Sequence, residues 1–170
     1  MMLTGTTLWI VGVTILCLWL PQNAQHEGMH SLAAKYFGAE ITRFTPYPNW
    51  KNGHFAWASM AWKGGEYGPL GRAFISIAPQ LANTVLLTLL LVAQVVLTLP
   101  TVIASVLAGW TIVNYLDGMW NLGTFYKPEP EQKYTDGWSF QENTGINKWA
   151  CRVGAGIWHV LFAALIVLPW

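Results

Sequence analysis

Apolar runs long enough to cross a bilayer alternate along the chain with two polar stretches. Spanning the hydrocarbon takes about 20 apolar residues, each adding about 1.5 Å of helix. Leu3 to Leu20, Phe74 to Leu99, Thr101 to Phe125 and Trp149 to Leu168 meet that requirement. The first carries no charge, follows no basic residue and precedes no small-x-small cleavage site, so it reads as a retained span and not as a secretory signal. Pro100 cannot continue a helix ladder, which predicts a tight turn between the second and third spans. Arg152, near the start of the fourth, can snorkel to the interface. The polar stretches are Gln22 to Gly71 and Lys127 to Lys148. Four spans place both on one side of the membrane, with the termini and the Pro100 turn on the other.

Between Glu40 and Tyr67 the pattern changes. Ile41, Phe44, Tyr47, Phe55, Trp57 and Trp62 favour strands, and Pro46, Pro48, Asn52-Gly53 and Gly64-Gly65 interrupt them. This predicts a small β-hairpin or re-entrant loop turning near Asn52-Gly53, its aromatic rings dipping into the interface; an irregular surface loop is the alternative. The second polar stretch, with Pro128, Pro130 and balanced charge, reads as a loop without catalytic chemistry. The expected fold is therefore an all-α polytopic membrane protein of about four transmembrane helices, forming a single domain over residues 1–170.

Composition agrees with a lipid environment. Hydrophobic residues make up 54% of the 170 and charged residues 10%, far below the roughly 25% of soluble domains. Eleven tryptophans suit membrane interfaces. A net charge of +1 gives no basic field for a phosphate backbone, so a nucleic-acid partner is excluded. Cys17 and Cys151 fall in apolar stretches and read as reduced, core-like thiols. All nine basic residues lie on the polar-stretch side or its margin, which by the positive-inside rule makes that side cytoplasmic and both termini extracytoplasmic.

Chemistry concentrates where the first span ends. His26-Glu27-Gly28-Met29-His30 puts two imidazoles at i and i+4, stacked on one helix face where both can reach one Zn²⁺ ion, with Glu27 beside the open position as general base. A third ligand is needed. Asp117 is the one charged residue between Phe74 and Phe125, and an acid inside a span costs about 2.5 to 3.5 kcal/mol, which marks it as functional. By helical rise it lies about 15 Å from Lys127, while His26 and His30 lie about 8 to 14 Å from Lys35, so the three candidate ligands share a depth. Glu40 and Glu66 lie in the hairpin region, and Tyr36 occupies the position where a third histidine would extend the motif. His54 reads as a hairpin surface residue and His159 as a packed core histidine. Thr111, Asn114, Asp117 and Asn121 form a polar stripe on the third helix that either hydrates the site or bonds neighbouring helices.

His26-Glu27-Gly28-Met29-His30, a hairpin region, Ala78-Pro79-Gln80-Leu81-Ala82-Asn83 opening a span, and Leu116-Asp117-Gly118 in the next together resemble the site-2 protease family of intramembrane zinc metalloproteases, over roughly residues 8–125. The Asn and Pro that usually precede Leu-Asp-Gly in that family are replaced here by Gly109 and Ile112. The resemblance implies one Zn²⁺ per chain on His26, His30 and Asp117, Glu27 as catalytic base, and Asn83 facing the substrate cleft, where it or Asn114 can support the oxyanion. It also implies a membrane-anchored protein substrate cut near the cytoplasmic face, and makes the helix at 149–168 an addition to the core. A hairpin edge onto which an unwound substrate strand adds is a further expectation. The competing readings are an inactive, protease-like accessory subunit of a larger membrane complex or homo-oligomer, and a pigment or haem protein using His159.

Overall fold

A computed structural model describes residues 4–51, 54–127 and 135–167. Helix α1 (Gly5–Tyr36) opens on Thr4, whose side chain accepts from the Thr7 amide. It runs unbroken past the end of the first apolar run. Its 32 residues correspond to about 48 Å, well beyond the roughly 30 Å of hydrocarbon, so the histidine motif rides on the continuation of a spanning helix. Helices α2 (Pro69–Val96) and α3 (Thr101–Gly123) follow, with Pro100 at the turn between them, as its missing amide requires. A short helix, α4 (Asp136–Thr144), and a last long one, α5 (Lys148–Val167), complete the chain. Helices α1, α2, α3 (with its 3₁₀ extension through Tyr126) and α5 are long and apolar enough to cross a membrane, and the protein is a multi-pass membrane protein.

The region between α1 and α2 forms two nested antiparallel pairs. Strand β1 (Ala39–Thr45) pairs with β4 (Ser59–Gly64), and β2 (Asn49–Lys51) pairs with β3 (His54–Ala56). The strand formers thus win over an irregular loop, and a register shift between Ile41 and Arg43 bends β1. The expected Asn52-Gly53 turn lies outside the described residues, as do Pro128 and Pro130.

Packing follows the logic of lipid. On α2, Leu81, Val85, Leu89, Val92 and Val96 recur at helical spacing and are exposed, while Ile75, Asn83, Leu87 and Leu90 on the opposite side are buried. One buried cluster joins Ala33, Ala34 and Ala39 to Met60, Ile75 and Ala78, where small side chains let α1, α2 and the β1–β4 pair approach closely. Gly109 serves the same purpose between α1 and α3, since a Cβ there would lie 2.7 Å from Thr14 Cβ. The second cluster, Leu122, Phe125, Cys151 and Ala155, anchors α5 with Phe140 of α4. Both cysteines are free; Cys151 is buried as expected, whereas Cys17 is exposed on the outer face of α1.

Candidate metal centre

Gln22, His26 and His30 follow one another at intervals of four on α1, so one face of the helix carries all three. His30 is oriented from α2: its Nδ1 donates to the Ile75 carbonyl at 2.7 Å. That carbonyl is available for a sequence reason. Pro79, four residues later inside α2, has no N–H to give it. A carbonyl only accepts, so the proton of His30 sits on Nδ1 and Nε2 is left to face the site.

Helix α4 supplies what Nε2 faces. Thr135 caps it, accepting from the Trp138 amide, and Gly145 closes it in the left-handed conformation. Ser76 of α2 donates to Ser139, 2.7 Å away, and the Gly137 amide donates to Thr124 Oγ1. Gly137 is a close approach: a Cβ there would lie 2.4 Å from Thr124 Oγ1. Docked in this way, the first turn of α4 places Asp136 Oδ2 3.2 Å from His30 Nε2 and 3.4 Å from His26 Nε2. Burial opposes ionisation of Asp136, but His30 and His26 outweigh it and hold the carboxyl below the usual carboxylate range.

The remaining nitrogen of His26 meets α3. Its Nδ1 is 3.1 Å from Asn121 Nδ2 and 3.6 Å from Asp117 Oδ2. Gln22 Nε2 donates to that same Asp117 oxygen at 3.2 Å, and Asn83 Nδ2 at 3.3 Å. Asn83, 1% exposed, also donates to the Asn114 carbonyl and accepts from Gln22. The expectation that Asn83 faces a cleft is therefore corrected, because its polar atoms are engaged between α1, α2 and α3. Asn114, the other oxyanion candidate, is fully buried with its amide on the Trp110 carbonyl. The polar stripe on α3 divides: Thr111 accepts from Gln94 across to α2, whereas Asp117 and Asn121 approach His26.

Among the described residues, ligand atoms of His26, His30 and Asp136 lie within 4.8 Å of one another and can hold a metal ion. The donor chemistry fits. With Nδ1 protonated, His30 Nε2 and Asp136 Oδ2 are two acceptors at 3.2 Å, and only a cation or a proton between them reconciles the approach. A second observation points the same way. Gln80 is 6% exposed, neither atom of its amide has a partner among the described residues, and it borders a void of about 10 Å³ shared with His26, Asn121 and Asp136. An unsatisfied buried amide costs about 1 to 3 kcal/mol. Gln80→Leu is accordingly expected to raise the melting temperature of metal-free protein while shrinking the stabilisation gained on adding metal, as thermal melts with and without the ion would measure.

Beside this group lies a cavity of about 430 Å³ between α1, α3 and the turn joining β3 to β4. Glu27, which is buried, lines it together with His26, Asn23, Trp19 and Trp57. Glu27 and His26 thus look from one helix onto a space large enough for an extended chain segment.

Of the residues expected at the site, His26 and His30 come together and Glu27 lines the adjoining cavity, whereas Asp117, expected as the third ligand, lies outside the group, 3.6 Å from the far nitrogen of His26. Asp136 was expected to belong to a loop without chemistry and instead completes the group. Its signal is in the sequence: Asp136-Gly137 is a second Asp-Gly pair, with Asn121 and prolines at 128 and 130 ahead of it. Gln22 had a signal too, one turn before His26. Glu40 pairs with Lys63 on the sheet surface, and His159 lies against Trp158 and Tyr126, apart from the metal group. No protein-family model, curated protein or solved structure matches the chain.

Proposed function

We propose that this protein is an intramembrane zinc metalloendopeptidase of the site-2 protease type, cutting membrane-anchored proteins near the cytoplasmic face. The observation that carries the reading is the convergence of His26, His30 and Asp136 within 4.8 Å, next to a cavity lined by Glu27. Two imidazoles and a carboxylate, three protein ligands in all, are the donor set of a catalytic zinc site that keeps one position open. These three residues would hold the zinc, which when bound would supply Lewis acidity and lower the pKa of a water to near neutral. Glu27 accepts the proton of the attacking water and returns it to the leaving amine. Trp19 and Trp57 wall the cavity, and the nearby strands offer backbone to a substrate that must be extended to expose its carbonyls. The positive-inside rule sets the charged segments, and with them the site, toward the cytoplasm.

A second reading rests on the same contacts. Protons in place of a metal would also reconcile the two histidines with Asp136, giving ion pairs that tie α1 to α4 in an inactive accessory subunit. Metal analysis of protein purified in detergent, with cleavage of a membrane-anchored reporter before and after chelation, separates them. One zinc per chain and chelator-sensitive cleavage are expected. Metal-free protein that copurifies with other membrane subunits would establish the accessory role instead.

A further inference from the structure

We infer that Asp117 is a positioning carboxylate for His26, accepting its Nδ1 proton from outside the metal group. The inference rests on the metal reading above and extends it to the residues that hold the ligands. Both histidines turn Nε2 toward Asp136, so each needs an acceptor for the proton on Nδ1. His30 has the Ile75 carbonyl. For His26 there are two neighbours. Asn121 Nδ2, at 3.1 Å, is the nearer; its amide has two hydrogens, one on the Asp117 carbonyl and one able to point at Nδ1, so it donates to the unprotonated nitrogen and cannot receive a proton from it. Asp117 Oδ2, at 3.6 Å and just beyond hydrogen-bond reach, is the acceptor toward which a protonated Nδ1 can turn.

That oxygen is held in place by side chains from two other helices. Gln22 and Asn83 both donate to it, and Gln22 bonds Asn83 in turn, so the carboxylate is fixed from α1 and α2 while its backbone belongs to α3. Two amide donors also give this buried acid the partners that a polar group inside a spanning helix needs. A carboxylate behind an imidazole fixes its tautomer and raises its basicity as a ligand, and losing such a partner weakens metal binding by about 10- to 100-fold. His30, backed only by a neutral carbonyl, receives less of this effect, so the two histidines are unequal ligands.

The test is a competitive Zn²⁺ titration against a chromophoric chelator in detergent, on wild type, Asp117→Asn, Gln22→Leu and Asp136→Asn. Asp117→Asn is expected to keep one site per chain with affinity lowered about 10- to 100-fold, Gln22→Leu to fall between it and wild type, and Asp136→Asn to lose the site. In wild-type protein, which folds by definition, ¹H–¹⁵N spectra of the histidine rings should show a strongly hydrogen-bonded Nδ1 proton on zinc-loaded His26. Unchanged affinity in Asp117→Asn, or no such proton, overturns the inference while leaving the metal site standing. Loss of the site in Asp117→Asn with retention in Asp136→Asn overturns it in favour of Asp117 as a ligand. A wild type that binds no zinc overturns the metal reading itself.

Discussion

Glu27→Gln protein is expected to bind zinc as wild type does and to cleave a membrane-anchored substrate on the order of 10²- to 10⁴-fold more slowly. The two halves of that expectation come from different features. Glu27 contributes no atom to the group formed by His26, His30 and Asp136, so metal content should not change. It lines the cavity one residue from His26, where a carboxylate can take a proton from water and an amide cannot. The substitution preserves the size of the side chain. Zinc content and single-turnover cleavage on the same preparation would measure both. Equal cleavage by the two proteins would remove Glu27 from the mechanism.

Asp136→Ala is expected to lose stoichiometric zinc and to reduce cleavage to background without unfolding the bundle. Helix α4 keeps its Thr135 cap, the Ser76–Ser139 bond and the contact with Thr124, none of which involves the aspartate side chain. What disappears is the group that both Nε2 atoms face. Gly137→Val should reach the same phenotype by displacement. Its Cβ would meet Thr124 Oγ1 at 2.4 Å and the Phe125 ring at 3.2 Å, so α4 must withdraw and carry Asp136 away from the histidines. Adding Thr124→Ala to the smaller Gly137→Ala change should recover part of the zinc affinity, because it removes the nearer obstacle. Circular dichroism alongside zinc titration distinguishes a lost ligand from a lost fold.

Much of this arrangement is legible in the residues, and the exceptions have physical causes. The spans follow from apolar length, and the turn at Pro100 from a missing amide. The His26/His30 pair follows from helical geometry, which holds wherever the helix continues, and α1 continues to Tyr36. Asp117 stands out because an acid amid apolar residues is costly, and its bonds to Gln22 and Asn83 offset that cost. Asp136 is illegible by the same criterion. In a polar segment an acid carries no penalty, and only the docking of α4 through Thr124 and Ser76 gives it a special position. Asn83 misleads for a related reason: periodicity identifies an inward face but not whether that face meets a cavity or another helix.

The proline in α2 has a consequence for how the helices are aligned. Apolar helices in lipid slide past one another at little cost, since one methyl group substitutes for the next. Every other carbonyl in the middle of a regular helix is already bonded to its own ladder. The Ile75 carbonyl is the one that Pro79 leaves open, and His30 takes it at 2.7 Å. A displacement of α1 along α2 by a single residue would offer His30 a carbonyl that already accepts from its own ladder and is the poorer acceptor. The proline therefore acts as an index mark that, together with the Gln22–Asn83 bond, sets the axial register of the histidine helix against its neighbour.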